Sequence, residues 1–111
     1  MTHPKTWSDS VYEKLMAAGE AWADANAAAD ILEETKNTVL AQLAADSNES
    51  SVAAKENYAR AHPDFDRHLR AMVNARKAAN RAKVVYDSAK VWVECKRTES
   101  ANERAANRVA T

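Results

Sequence analysis

The near absence of helix-breaking residues is the feature that most constrains this chain. Its 111 residues include one glycine, Gly19, and two prolines, Pro4 and Pro63. Alanine, the strongest helix former, is the commonest residue, whereas glycine and proline are the weakest formers in a helix interior. Because few positions can form a turn, we predict one all-α domain over residues 1–111, built from long helices.

A series of apolar residues, spaced by alternating steps of four and three, predicts the first long helix. The series, called the first seam, begins at Val11 and ends at Leu43. Lys36 is its one polar position. The pattern predicts a helix over about residues 9–46 and predicts that Trp22, a seam residue, is buried.

Capping signals predict where the helices begin. Ser10 followed three residues later by Glu13 fits a capping box for the first helix. Proline disfavours the helical conformation at the residue before it and suits the first turn of a helix, so "HPDFD" predicts a boundary. We therefore expect a short helix over about residues 51–61 and a last helix over about residues 64–108.

The last helix has its own apolar series, the second seam, which begins at Phe65 and ends at Val93. Beyond Val93 the equivalent positions are polar, so the end of this helix has little to bury. Two long helices with facing seams predict a long antiparallel helical hairpin, coiled-coil-like, with a short middle helix.

Charge is divided unevenly along the chain, although the formal net charge is zero. Residues 1–61 contain five basic and ten acidic side chains, whereas residues 62–111 contain eleven basic and six acidic side chains. This division indicates either that the two halves face each other or that the basic half binds an anionic partner.

A basic residue recurs at every seventh position of the last helix, which predicts one slowly spiralling basic stripe. Such a stripe can follow a phosphate backbone, and a neighbouring tryptophan can stack on a base. The candidate nucleic-acid-binding residues are Arg76, Lys83, Lys90, Trp92, Lys96, Arg97, Arg104 and Arg108.

The alternative is that the basic stripe is a salt-bridged, solvated helix face. Asp87 lies at helical pairing distance from both Lys83 and Lys90, and Glu94 lies at that distance from Lys90 and Arg97. These acids would neutralise much of the stripe.

Large apolar residues also lie beside the seams, at positions that a single hairpin leaves uncovered. They are Tyr12, Met16, Ile31, Leu40, Val85 and Trp92. We therefore expect a homo-oligomer. The alternative is that the middle helix and the N-terminal segment containing Trp7 fold over this surface.

Catalytic and metal-binding motifs are missing from the sequence. "HPDFDRH" contains two histidines and two aspartates, but Asp64 and Asp66 do not share a helix face and suit a helix start instead. Cys95 has no histidine near it in sequence. With one glycine, no glycine-rich phosphate loop and no nucleophile elbow are present. We expect no metal, no cofactor and no enzymatic activity.

Membrane and export signals are missing as well. The sequence has no run of eighteen apolar residues and no apolar segment of the signal-peptide kind at its start. A lone cysteine is typical of a reducing compartment. We expect a protein of the bacterial host cytoplasm that does not enter a membrane.

The stretches "KENYARAHPDF" and "VWVECKRTESANERA" resemble small helical proteins that phages and prophages encode, often near recombination genes. The residues that carry the resemblance are His62, Pro63, Phe65, Trp92, Glu94, Arg97, Ala101 and Arg104. The layout of helical core and basic surface is also similar to that of the UvsY recombination mediator family. Membership of that family would imply an oligomeric ring that binds single-stranded DNA and loads a recombinase.

Three functions follow from these patterns as hypotheses. The first is a non-enzymatic recombination accessory protein that binds single-stranded DNA as an oligomer. The second is a phage-encoded inhibitor of a host or defence protein, in which the acidic first helix would bind a basic partner. The third is a structural coiled-coil adaptor, which would use neither charged surface.

Overall fold

The computed structural model describes residues 6–110, and it describes their side chains except at positions 7 and 110. This part of the chain contains four helices and no strand, so the predicted all-α class is confirmed. The helices are α1 (Trp7–Glu34), α2 (Lys36–Ala45), α3 (Val52–Ala61) and α4 (Pro63–Ala110).

The start of α1 is fixed by Thr6 and Asp9. The Asp9 amide donates to the Thr6 hydroxyl at 3.1 Å, and the Thr6 amide donates to the Asp9 carboxylate at 3.3 Å. This reciprocal pair is a capping box with aspartate in the acidic position. The prediction that Ser10 and Glu13 cap this helix is therefore wrong, because the cap lies one turn earlier.

The predicted helix over residues 9–46 is interrupted at Thr35. In an unbroken helix the Leu32 carbonyl would accept from the Lys36 amide. Here it accepts from His68 Nε2 at 2.7 Å and from the Thr35 hydroxyl at 3.3 Å. Side chains that enter the helical hydrogen-bond ladder in this way bend or break a helix. Lys36, the polar gap in the first seam, is consequently the first residue of α2.

Side chains also satisfy the starts of α3 and α4. The Ser51 hydroxyl accepts from the Ala54 amide at 3.1 Å, and Ser51 has the extended backbone typical of an N-cap. At the next boundary, His62 Nδ1 accepts from the Asp64 amide at 3.0 Å, and Pro63 is the first residue of α4. The predicted boundary at "HPDFD" is confirmed.

Packing between Cα atoms divides the chain into two compact units. Unit 1 comprises the chain up to Trp22 together with the chain from Arg81 onward, and unit 2 is Ala23–Asn80. Each unit contains sections of α1 and α4.

Unit 2 contains the buried core. Leu43 of α2, Ala59 of α3 and Phe65 of α4 form a buried cluster. Four partly buried side chains pack against this cluster: Val39, Leu40, Ala44 and Leu69. The three-helix corner exists because α3 folds back on α2 and the start of α4 then joins both helices.

Unit 1 is a two-helix pairing held by an aromatic contact. The rings of Trp22 and Tyr86 stack with centroids 5.9 Å apart. Gly19 lies beneath Tyr86, where an added Cβ would be 3.2 Å from the ring. The lone glycine therefore gives the Tyr86 ring room against α1. Trp22 is half-buried rather than buried as predicted, because the described residues of unit 1 form only two helical segments, which cover one side of each other.

The two seams predicted from the sequence are the contact surfaces of α1, α2 and α4. Every apolar seam position is buried or half-buried in the structure. The second seam ends at Val93, as predicted; beyond it Lys96 is half-buried, and residues 97–109 are all exposed. The helix nevertheless continues to Ala110.

Replacing Phe65 tests the core of unit 2. We expect Phe65→Ala to lower the free energy of unfolding by about 3–5 kcal/mol, because it leaves a cavity among Leu43 and Ala59. Val73→Ala is the control, since Val73 is 60% exposed on the same helix and should cost less than about 0.5 kcal/mol. Urea unfolding followed by circular dichroism measures both, and equal losses would contradict this description of the core.

Candidate nucleic-acid interface

All eight candidate residues lie on α4, but their environments differ. Arg76 belongs to unit 2, and the other seven belong to unit 1. Most of the basic side chains in the first two-thirds of the series have acidic partners, whereas Arg97 and Arg104 form no ion pair with another described residue. The basic stripe therefore has a salt-bridged part and a part whose arginines form no ion pair with another described residue.

Arg76 is held by three side chains of α1. Its guanidinium donates to both carboxylate oxygens of Glu33 at 2.9 Å, to Asp30 at 2.7 Å and to Asn26 at 2.8 Å. A guanidinium that binds a carboxylate through two parallel hydrogen bonds is geometrically fixed. Arg76 is therefore a structural link between α1 and α4 within unit 2, and four of its five N–H donors are engaged there.

Lys83 and Lys90 share one acidic partner. Asp87 lies 3.4 Å from the Lys83 ammonium and 3.3 Å from the Lys90 ammonium, which is the local pairing that the alternative interpretation predicted. The hydrogen bond from Lys90 lowers the pKa of Asp87, and the Lys83 charge acts in the same direction. Lys90 also lies 4.7 Å above the centroid of the Tyr86 ring. This segment is a salt-bridged face.

Lys96 and Trp92 form a second local cluster. The Lys96 ammonium is 3.1 Å from Glu99 and 5.8 Å from the centroid of the Trp92 ring. Trp92 is five residues from Arg97, which at 3.6 residues per turn separates their directions by about 140° around the helix. Base stacking on Trp92 and phosphate binding by Arg97 therefore belong to different sides of α4.

Arg97 and Arg104 line one polar cavity of about 620 Å³ in unit 1. The other lining residues are Ser8, Ser100, Glu103 and Asn107. Ser100 and Glu103 continue the register of the second seam, so the surface that is apolar up to Val93 becomes polar at this end. Two guanidinium groups beside hydroxyl and amide groups suit an anion with several oxygen atoms.

Glu94 is a further acidic residue near the basic stripe, and its contacts differ from those that the sequence predicted. Glu94 was predicted to pair with Lys90 and Arg97, but its side chain forms no ion pair with another described residue. Its backbone carbonyl accepts from the Thr98 hydroxyl at 3.1 Å. Lys90 binds Asp87 instead, and Arg97 forms no ion pair with another described residue.

The partners of Arg76 were missed by the sequence analysis because they lie 43 to 50 residues away along the chain. A signal for them was present. Asn26 and Glu33 are spaced by seven residues on α1, as Arg76 and Lys83 are on α4. Polar residues at heptad spacing beside the seams are the sequence signal for such contacts between paired helices.

Other kinds of site find no support among residues 6–110. No group of three histidine, cysteine, aspartate or glutamate side chains there could hold a metal ion. In "HPDFDRH", Asp64 binds Arg67 and Asp66 binds Arg70, while His68 contacts the Leu32 carbonyl. Over the same residues, every helix is too short or too polar to cross a bilayer.

The Arg76 contacts predict a pH dependence of stability. The hydrogen bonds that Arg76 donates lower the pKa of Glu33 below its ordinary 4.5 and raise the pKa of Arg76. A carboxylate with a lowered folded-state pKa contributes stability above its unfolded pKa and loses it as pH falls through the folded value. At pH 7 we expect the urea midpoint of the wild type to be higher than that of Glu33→Gln. This difference should shrink as the pH falls from about 5 to about 3.

The control for this prediction is the same comparison in an Arg76→Gln background. Without the guanidinium the Glu33→Gln difference should be small and independent of pH. A pH-dependent difference that persists in the Arg76→Gln background would show that another group lowers the pKa of Glu33.

The sequence and the structure were also compared with known proteins. No protein-family model matches the sequence, and neither a curated protein nor a solved structure matches the chain.

Proposed function

We propose that this protein is a non-enzymatic accessory protein of phage-type recombination that binds single-stranded DNA as an oligomer. The observation that carries the proposal is the pair of exposed arginines, Arg97 and Arg104, which line one cavity and form no ion pair with a described residue. Arg108, in the last turn of α4, adds a third basic side chain at this end.

The spacing of the arginines suits a strand of phosphates. Seven residues at 1.5 Å rise separate Arg97 and Arg104 by about 10 Å along α4, so each can contact a different phosphate of one strand. A guanidinium forms paired hydrogen bonds with phosphate oxygens, and Ser100 between them supplies a neutral donor. Contacts to the backbone alone are independent of base sequence.

The small number of available cations favours a single strand and a modest affinity. Of the candidate residues, Arg76, Lys83, Lys90 and Lys96 are engaged with carboxylates, whereas Arg97 and Arg104 form no ion pair with another described residue. Glu103 lines the same cavity and weakens its positive potential. A short basic row on one side of a helix is suited to following one backbone.

Self-association would compensate for this modest affinity. Several copies on one strand multiply the phosphate contacts without new chemistry, because each later contact forms at high effective concentration. The exposed apolar residues of unit 1 support an oligomer, since large exposed apolar surfaces mark contacts with other proteins.

The second candidate function is inhibition of a host or defence protein through a direct protein contact. Tyr12 and Met16 of α1 are 64% and 46% exposed, and they lie in the acidic part of the chain. Such a surface suits a partner that is apolar at its centre and basic at its rim. A structural adaptor, the third candidate, would use the apolar surface alone.

The nucleic-acid proposal predicts binding of an oligothymidine to the wild type at low salt, measured by fluorescence anisotropy. Because two or three phosphates are available to each copy, we expect log K to fall against log salt with a slope of about −1.5 to −2 per copy. Arg97→Gln combined with Arg104→Gln should remove binding while helicity is unchanged.

The matched control is Lys77→Gln combined with Arg81→Gln. These residues are exposed on the same helix, and the control removes the same charge at a different place. Equal loss of binding in both double variants would mean that total charge, not the arginine cavity, is responsible. A wild type that binds no single-stranded DNA at low salt would reject the proposal in favour of the protein-binding candidate.

A further inference from the structure

The described residues of unit 1 include no buried apolar side chain. The five buried apolar residues of the described chain are Ala29, Leu43, Ala59, Phe65 and Ala79, and all of them lie in unit 2. In unit 1 the largest seam residues, Trp22 and Tyr86, are only half-buried. Two helices can cover one side of each other but cannot enclose a core, so the apolar surface of unit 1 is incomplete.

The uncovered surface of unit 1 contains a groove between α1 and α4. The groove has a volume of about 250 Å³. It is lined by Val11, Leu15, Ala89 and Val93, and its rim is formed by Lys14 and Trp92. The lining is apolar apart from the Lys14 ammonium, so the groove suits the ridge of another helix rather than a polar ligand.

A projecting apolar row lies beside the groove. Trp92 is 47% exposed, and Val85, one heptad earlier on the same side of α4, is 60% exposed. Val84 and Val91, each one position before these residues, are 64% and 61% exposed. A groove with a projecting row next to it is self-complementary, because the row of one copy can enter the groove of another.

Charge identifies a second copy as the occupant. Within unit 1, residues 6–22 contain one basic and three acidic side chains, whereas residues 81–110 contain seven basic and four acidic side chains. When two antiparallel helix pairs form a four-helix bundle, each α1 has an α4 on both sides. Each net-negative α1 segment then lies next to net-positive α4 segments. This attraction favours the arrangement over one that places two α4 helices side by side.

We infer that a second copy of this chain docks on the Trp92 groove of unit 1 in an isologous arrangement and completes a four-helix bundle there. The same patch is used by both copies, as twofold symmetry requires. The inference rests on the self-association included in the proposed function and adds the surface responsible for it. Trp92 is the central anchor, because tryptophan dominates the energetics of well-packed interfaces.

This docking leaves the arginine cavity accessible. Trp92 and Arg97 point about 140° apart around α4, so a partner on the Trp92 side does not cover the Arg97 side. Two copies would therefore present two arginine cavities, which lengthens the surface available to an anionic strand.

Sedimentation equilibrium of charged variants tests the docking surface. We expect the wild type to associate, and Trp92→Glu or Val85→Glu to raise the dissociation constant about tenfold or more. Val52→Glu is the control, because Val52 is 75% exposed on α3 of unit 2 and the charge introduced is the same. Circular dichroism confirms that each variant is helical.

Cross-linking through Cys95 provides a second, independent measurement. Cys95 is exposed and lies three residues after Trp92, about 60° from it around α4. The alternation of α1 and α4 around the bundle requires a twofold axis parallel to the helices, so the two Cys95 side chains lie at the same height along it. A bismaleimide long enough to span the diagonal of about 14 Å between the two α4 helices should join wild-type chains into dimers, whereas Cys95→Ser and Trp92→Glu should give no covalent dimer.

The outcomes separate this inference from the DNA proposal. A wild type that stays monomeric at its highest soluble concentration overturns the inference, and so does equal weakening by Val52→Glu and Trp92→Glu. Association that survives Arg97→Gln with Arg104→Gln but is lost in Trp92→Glu supports it. That result would stand even if the protein bound no oligothymidine.

Discussion

Alanine at the helix contacts is the constraint on which the rest of this structure depends. Three of the five buried side chains are alanine: Ala29, Ala59 and Ala79. Alanine lets two helices approach closely and favours helix formation, but it removes little apolar area from water. The chain therefore obtains long, regular helices at the expense of a large core. Several of its bigger apolar residues, such as Ile31 and Val85, remain exposed at the flanks.

Polar contacts help to hold the helices together and to fix their register, which a larger core would otherwise do. Arg76 joins α4 to three side chains of α1, and the His68 contact with the Leu32 carbonyl joins the same two helices. Hydrogen bonds of this kind specify register, because a shift of one residue would break all of them. The same contacts explain why the basic stripe is interrupted, because four of the five N–H donors of Arg76 bind α1 and its charge is paired with Asp30 and Glu33.

The sequence predicted the seams well, because heptad spacing is a local property that can be read from neighbouring positions. The sequence-based prediction failed where residues far apart along the chain contact each other and determine the local structure. The break at Thr35 depends on His68, and the fate of Arg76 depends on Glu33, 43 residues away. For the candidate site, local spacing correctly paired Asp87 with Lys83 and Lys90. The different directions of Trp92 and Arg97 follow from helix geometry alone, so the sequence already contained that distinction.

The helix α4 is continuous, but its first part and its last turns differ in local stability. From Pro63 to Val93 the helix contributes the second seam to its contacts with other elements, whereas residues 97–109 are all exposed. Opening a helical turn costs less where little surface is buried. Amide hydrogens in the last three turns should thus exchange with solvent through local fraying, and those near Phe65 only through wider unfolding. One helix, uniform in geometry, behaves as two thermodynamic segments.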